Sequence, residues 1–243
     1  MNPTPLSVDE AIHTFDALSA RLLGLYQNRP ADIPSQPPPG QWLEGIGQFL
    51  GIARELERRE PEEVSADEVS EVGDYGLSLL GELQAWVIQA QLRDALQEVH
   101  GLVAAVAGWI VRQGARIQTL EPVVDALAGQ ANATTDPSEL RRLAAAMEAV
   151  VGACTPTIRN DLERHNPARP WRILHLNWAI TATRSRDTAL MERVFDTLVA
   201  TLPEEAPRFF REGMGEMVRL DYPASVRTVM QRYFERWSEG RMN

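Results

Sequence analysis

The sequence predicts an all-α protein, an N-terminal helical bundle followed by a C-terminal array of antiparallel helix pairs. Three observations carry that expectation. Apolar residues recur at three- and four-residue spacing along most of the chain. Helix-start signals precede these stretches: Ser7 with Glu10, Ser65 with Glu68, and the run Asp136-Pro137-Ser138-Glu139. No run alternates β-branched and polar residues as a half-buried strand would. About nine to eleven helices are expected.

The first helix starts at Ser7 and carries Ile12, Phe15, Leu18, Leu22 and Tyr26 on one stripe. Residues 28–40 then hold Pro30, Pro34, Pro37, Pro38 and Pro39, which reads as a stiff extended tether. A helix from about Gln41 to Glu60 follows, with Trp42, Ile46, Phe49, Leu50, Ala53 and Leu56 to one side. Between Glu55 and Asp74 lie nine carboxylates and two arginines, a net of −7. Ser65 and Glu68 restart a helix inside this run, and Gly73-Asp74-Tyr75-Gly76 is expected to interrupt it. Leu79, Leu83, Trp86, Val87 and Ala90 mark a long helix to about His100. Another starts near Gly101, where Gly101, Ala104, Ala105 and Gly108 would allow close helix contact. Pro122 opens a short helix ending at Asn132, Pro137 a longer one through Leu140, Leu143, Met147 and Val150, and Thr155-Pro156 the next.

Beyond Pro170 the apolar positions repeat. A shift of 35 residues places Met191 on Val226, Val194 on Val229, Phe195 on Met230, Leu198 on Tyr233, Val199 on Phe234 and Leu202 on Trp237. The helix starts, Thr188 and Pro223, coincide as well. The expected helices are 170–184 paired with 187–201, then 205–219 paired with 223–238. In length and helix pairing this resembles the tetratricopeptide-type α-solenoids. The resemblance covers about 70 of the 243 residues, and the Trp-x2-Leu-Gly-x2-Tyr signature is missing from both units. The organisation expected is 1–27 as the N-terminal helix, 28–40 as the tether, 41–152 as the bundle and 153–243 as the helix-pair region, packed with the bundle as one body.

Composition narrows the chemistry. All 24 basic residues are arginine, so neither a Schiff base nor a phosphate-loop lysine is available. Codon usage of a GC-rich, bacterial genome accounts for this, as would selection for arginine's planar fork at interfaces. The net charge is −10, which weighs against nucleic acid and anionic lipid as partners. The single Cys154 forms no internal disulfide. No apolar stretch approaches the roughly 20 residues of a membrane span. The N-terminus lacks a signal-peptide pattern, so the cytoplasm is the expected compartment.

Candidate sites are few. Gly45-Ile46-Gly47-Gln48-Phe49-Leu50-Gly51 follows prolines rather than a strand, and its third glycine falls one residue late for a dinucleotide loop; close packing through Gly47 and Gly51 is expected instead. Cys154 lies between two helices, as a small buried residue or as a thiol activated at a helix start. Only His13 carries a Glu three residues before it, and that Glu10 is committed to the Ser7 cap; no metal site, catalytic residue or cofactor is expected. The strongest departure from the mean composition is 157–186, where Arg159, Arg164, Arg169, Arg172, Arg184 and Arg186 face only Asp161 and Glu163. Trp171, His175 and Trp178 lie among them. This composition fits a partner-binding surface for another protein, a phosphate contact, or internal pairing of the arginines with 55–74 around core tryptophans. Val226, Met230, Tyr233, Phe234 and Trp237 form a wide apolar face on the last helix, which packs back on the body or meets a partner or second copy of the chain, as in a homodimer. The function expected is a non-enzymatic protein-binding or adaptor module. The alternative is an enzyme or small-molecule binder with a pocket near His165 and His175.

Overall fold

Ser7 begins the first helix through the reciprocal contact that its spacing to Glu10 allows. Its Oγ accepts from the Glu10 N–H at 3.2 Å, and the Glu10 carboxylate accepts from the Ser7 N–H at 2.8 Å. The computed structural model describes residues 7–28 and 38–238; most of the proline-rich tether lies outside them. The described residues form α1 (Val8–Gln27), α2 (Gly40–Arg58), a 3-10 turn at Pro61–Glu63, α3 (Ala66–Gln89), α4 (Arg93–Arg112), α5 (Glu121–Ala133), α6 (Pro137–Ala153), α7 (Pro156–Arg159), α8 (Pro170–Arg184), α9 (Thr188–Thr201), α10 (Ala206–Arg219) and α11 (Ala224–Ser238). The class is all-α. Among these residues there is no strand, and one isolated bridge joins Ile117 to Cys154. Among the described residues no helix is long and apolar enough to cross a membrane.

The chain divides into two compact units, Met1–Ala133 with Ala149–Leu162, and Thr134–Glu148 with Glu163–Asn243. In the first, α1 packs on α2 and α4, α3 packs on α2, α4 and α5, and α4 packs on α5. The first helix is thus seated on its own unit rather than on a separate body. Phe49 of α2 meets Trp109 of α4 edge to face at 6.3 Å, and both are fully buried.

Two expectations for this unit fail for tertiary reasons. Gly73-Asp74-Tyr75-Gly76 does not interrupt α3, which runs unbroken from Ala66 to Gln89. A Cβ at Gly73 would lie 2.5 Å from Ile110 Cδ1, and one at Gly76 2.5 Å from ring atoms of Phe49. These glycines let α4 and α2 approach, and the packing outweighs roughly 1 kcal/mol of lost helix propensity at each. Asp74 between them accepts from the backbone N–H groups of Gln118 at 2.9 Å and Thr119 at 2.8 Å, tying the α4–α5 loop to mid-α3. The second failure is the junction expected at His100–Gly101, which lies inside α4; the break comes at residues 90–92. There Gln91 takes the left-handed conformation with φ 56°, and the N–H groups of Gln91 and Leu92 reach the Ile88 and Val87 carbonyls. This is a Schellman closure without its usual glycine, so composition gave no signal for it. Of the two glycines expected to pack closely, Gly47 does so, since its Cβ would sit 3.5 Å from Phe15, whereas a Cβ at Gly51 would meet nothing within 4 Å; the tightest approach in this run is at Gly45, whose Cβ would sit 3.0 Å from Leu79.

In the second unit α8 packs on α9, α10 on α11 and α11 on α9. The helix bounds fall within one or two residues of those read from the sequence. Phe195 of α9 contacts Phe209, Phe210 and Tyr233 with ring centroids 5.1–5.7 Å apart, which closes α9, α10 and α11 around one aromatic cluster. Both α8 and α10 end in a left-handed non-glycine residue, Arg186 at φ 59° and Asp221 at φ 46°, and these stand 35 positions apart. Arg186 is exposed, so its left-handed backbone is not offset by a buried side chain. Arg186→Gly is expected to stabilise the protein by about 0.5–1 kcal/mol, read as a higher midpoint in urea. A lower midpoint would mean that the arginine side chain holds the turn.

Candidate functional site

The arginine and tryptophan residues of 157–186 divide by position. Trp171, Trp178, His175 and Arg169 are buried, Arg172 and Arg184 are half-buried, and Arg159, Arg164, Arg186 and His165 are exposed. The reason lies in α8. Its buried residues include Trp171, Leu174, His175, Trp178, Ala179, Thr181, Ala182 and Thr183, so nearly its whole circumference is covered. A helix that is apolar all round occupies an interior position. Trp171, His175 and Trp178 lie on consecutive turns, with ring centroids 4.2 and 6.2 Å apart along the series. His175 Nδ1–H donates to the Trp171 carbonyl at 2.9 Å, which sets its tautomer. This differs from the continuous exposed arginine–tryptophan surface that composition suggested.

The half-buried arginines make a clamp at the start of α8. Arg172 grips Glu205 with two parallel bonds, Nε to Oε1 at 2.5 Å and Nη2 to Oε2 at 2.7 Å. The side chains are 13% and 17% exposed. Arg169 reaches Glu204 at 3.3 Å and also donates to the Arg164 and Asn166 carbonyls, while Arg172 donates to the Pro167 carbonyl. The two guanidinium groups therefore hold the 163–169 connection and the start of α10 together. The bonds from Arg172 hold the Glu205 carboxyl below its ordinary range, and the same bonds raise Arg172. These counter-charges come from the start of α10, the first helix of the next pair. Elsewhere, Arg184 donates to the Thr134 carbonyl at 2.7 Å, and Arg159 donates to the Gly152 carbonyl. Tyr222 follows α10, and burial raises its hydroxyl above the ordinary value, with the charges of Arg184 and Arg186 opposing this. The starts of α8 and α10 are thus joined through Glu204 and Glu205.

The apolar face of α11 is internal for the most part. Val226, Val229, Met230 and Tyr233 are buried, and Phe234 and Trp237 are half-buried. Met230 sits against Gly213 of α10, and the Tyr233 hydroxyl donates to Asp196 of α9 at 2.7 Å. Burial, with that carboxylate second, raises the Tyr233 pKa.

The other candidates take structural positions. Cys154 is fully buried, its thiol donates to the Val150 carbonyl at 3.3 Å, and burial pushes its pKa up to about 12, far from an activated nucleophile. His13 is exposed. His100 is buried against Gly129 with its pKa lowered by burial. Among the described residues no group of three His, Cys, Asp or Glu is placed to hold a metal ion. One small cavity is present among the described residues. It lies in the first unit, lined by Val8, Phe49, Val106 and Trp109 among others, and its volume of about 10 Å³ is room for at most one water.

What composition did not reveal is the exposed apolar set. In the second unit Ile180 of α8, Val218 of α10 and Leu220 beside it are exposed, Val218 at 82%. In the first, Ile52 and Tyr75 are exposed. Periodicity could have flagged Val218, which falls on the polar face of α10. No protein-family model matches the chain, and neither a curated protein nor a solved structure is matched by it.

Proposed function

We propose that the chain is a non-enzymatic protein-binding module whose second unit is built of helix-hairpin repeats, with the exposed side of α10 and the exposed Ile180 of α8 as the binding surface. The observation that carries this reading is the link between the starts of α8 and α10, each the first helix of a pair. The Arg169–Glu204 and Arg172–Glu205 pairs join their starts. Stacked hairpins present such helices as an extended surface. Ile180, Val218 and Leu220 give this one its apolar contacts, and Arg186 a cationic rim. In this reading Arg169 and Arg172 set the spacing of the hairpins rather than touch the partner, and the tryptophans are their core.

A double variant, Val218→Glu with Leu220→Glu, tests this. Both side chains are exposed, so the circular-dichroism melt is expected to stay within a few degrees of the parent. Cross-linked capture from source-cell lysate is expected to lose one specific protein, or, if the partner is a second copy, sedimentation is expected to lose a dimer. Identical captured proteins and identical sedimentation for parent and variant would remove this face from consideration.

A further inference from the structure

The charge of this protein is confined to one unit. The first unit holds twenty carboxylates and nine arginines, a net of −11, whereas the second holds fourteen carboxylates and fifteen arginines, a net of +1. Much of the excess lies along α2, the 3-10 turn and the start of α3. Glu57, Glu68 and Asp74 there have partners in Arg112, Arg59 and the α4–α5 loop. Glu55, Glu60, Glu62, Glu63, Asp67 and Glu71 are exposed, and none forms an ion pair with a described residue. So many uncompensated carboxylates repel one another, a cost the fold does not offset internally.

These carboxylates border an apolar seam. Gly45, Ile52 and Arg59 are seven residues apart on α2 and so share a face. Glu68 and Tyr75 are seven apart on α3, with Glu71 between them. The Tyr75 hydroxyl lies 3.6 Å from where a Gly45 Cβ would be, and Arg59 pairs with Glu68 at 3.7 Å. These two contacts align the helices in opposite directions. They place Ile52 midway along the seam, beside Glu71 and one turn from Glu55. Ile52 is 46% exposed and Tyr75 56% exposed. Seven residues on α2 separate Ile52 from the Tyr75 end of the seam, about 10 Å.

We propose that this α2–α3 seam docks a basic amphipathic helix of another protein, with two apolar side chains two turns apart on Ile52 and Tyr75 and arginine or lysine side chains on Glu55 and Glu71. Charge complementarity decides the occupant: the surface is acidic on both sides of its apolar residues, and only a cationic partner lowers the repulsion as it buries them. A copy of this chain is the poorer match: on α10 and α11 of its more basic unit Arg208, Arg219, Arg227 and Arg232 are paired with Glu212, Glu216, Asp221 and Glu192, which leaves one exposed arginine on each helix, Arg211 and Arg236. The seam is distinct from the α8–α10 face and does not depend on it.

The test uses the full chain and a fluorescein-labelled 18-residue peptide. Its leucines lie at i, i+3 and i+7 and arginines fill its other face; a scrambled peptide of the same composition lacks the apolar face. The amphipathic peptide is expected to bind at least ten-fold more tightly than the scrambled one. Glu55→Arg with Glu71→Arg is expected to weaken it at least ten-fold, and Ile52→Ser with Tyr75→Ser about five-fold or more. Val218→Glu with Leu220→Glu is expected to leave it unchanged. Equal binding of both peptides, or indifference to Ile52→Ser with Tyr75→Ser, would overturn the proposal in favour of unspecific attraction. A parent dimer broken by Ile52→Ser in sedimentation would overturn it in favour of a second copy. Hydrogen exchange on the parent, with protection expected at 48–55 and 68–75, keeps the test decisive should a variant fold poorly.

Discussion

Gly76→Ala is expected to destabilise the protein by about 2 kcal/mol, even though alanine is the best helix former and Gly76 lies inside a helix. The added methyl would stand 2.5 Å from atoms of the Phe49 ring. That ring is fully buried and packs edge to face on Trp109, and the void beside it is water-sized, too small to take the displaced ring. The α2–α3 spacing would have to open, at a cost of roughly 1–3 kcal/mol or more for overpacking, against about 1 kcal/mol gained in propensity. Gly51→Ala and Gly101→Ala supply the control. Both lie inside helices with nothing within 4 Å, and each is expected to gain up to about 1 kcal/mol. Urea midpoints of the three variants check this. A stabilised Gly76→Ala protein would mean that α2 and α3 are less tightly apposed than the geometry requires.

The second large effect is expected at the α8 clamp. Arg172→Glu would set a carboxylate against Glu205 in a site where both side chains are mostly covered, and about 2–3 kcal/mol should be lost. The reversed pair, Arg172→Glu with Glu205→Arg, is expected to recover more than half of that. Full additivity of the two single changes would show that the pair does not couple. A pH signature accompanies it. Glu205 has its folded pKa lowered from 4.5, first by the Arg172 hydrogen bonds. Its contribution is therefore complete above about pH 4.5 and is lost as pH falls through the lowered folded value. The stability difference between the parent and Glu205→Gln should accordingly shrink on acidification below pH 4.5, and a constant difference would contradict the assignment.

Particular residues show how much of this was legible in the sequence. Helix starts at Ser7, Ser65 and Pro137 were readable because capping is local chemistry within three residues. The glycines of 73–76 misled because propensity is a weak local preference, whereas the contacts of Gly73 with Ile110 and of Gly76 with Phe49 join residues far apart in the chain. The turn at Gln91 was invisible because a glutamine there carries no turn signal. Composition singled out the arginine cluster, but composition does not say which way a side chain points. One usable signal was overlooked. The 35-residue shift that superposes the apolar positions also places Arg169 on Glu204, the residue with which it pairs.

Taken alone, the sequence determined the all-α class, most helix bounds and the absence of lysine chemistry, since these follow from spacing and residue type. Tertiary structure decided which arginines became internal clamps, that α8 is covered nearly all round, and that Ile52, Tyr75 and Val218 stay outside. The physical reason is that burial and pairing depend on what lies across a helix, and that neighbour is set by packing between segments distant in the chain.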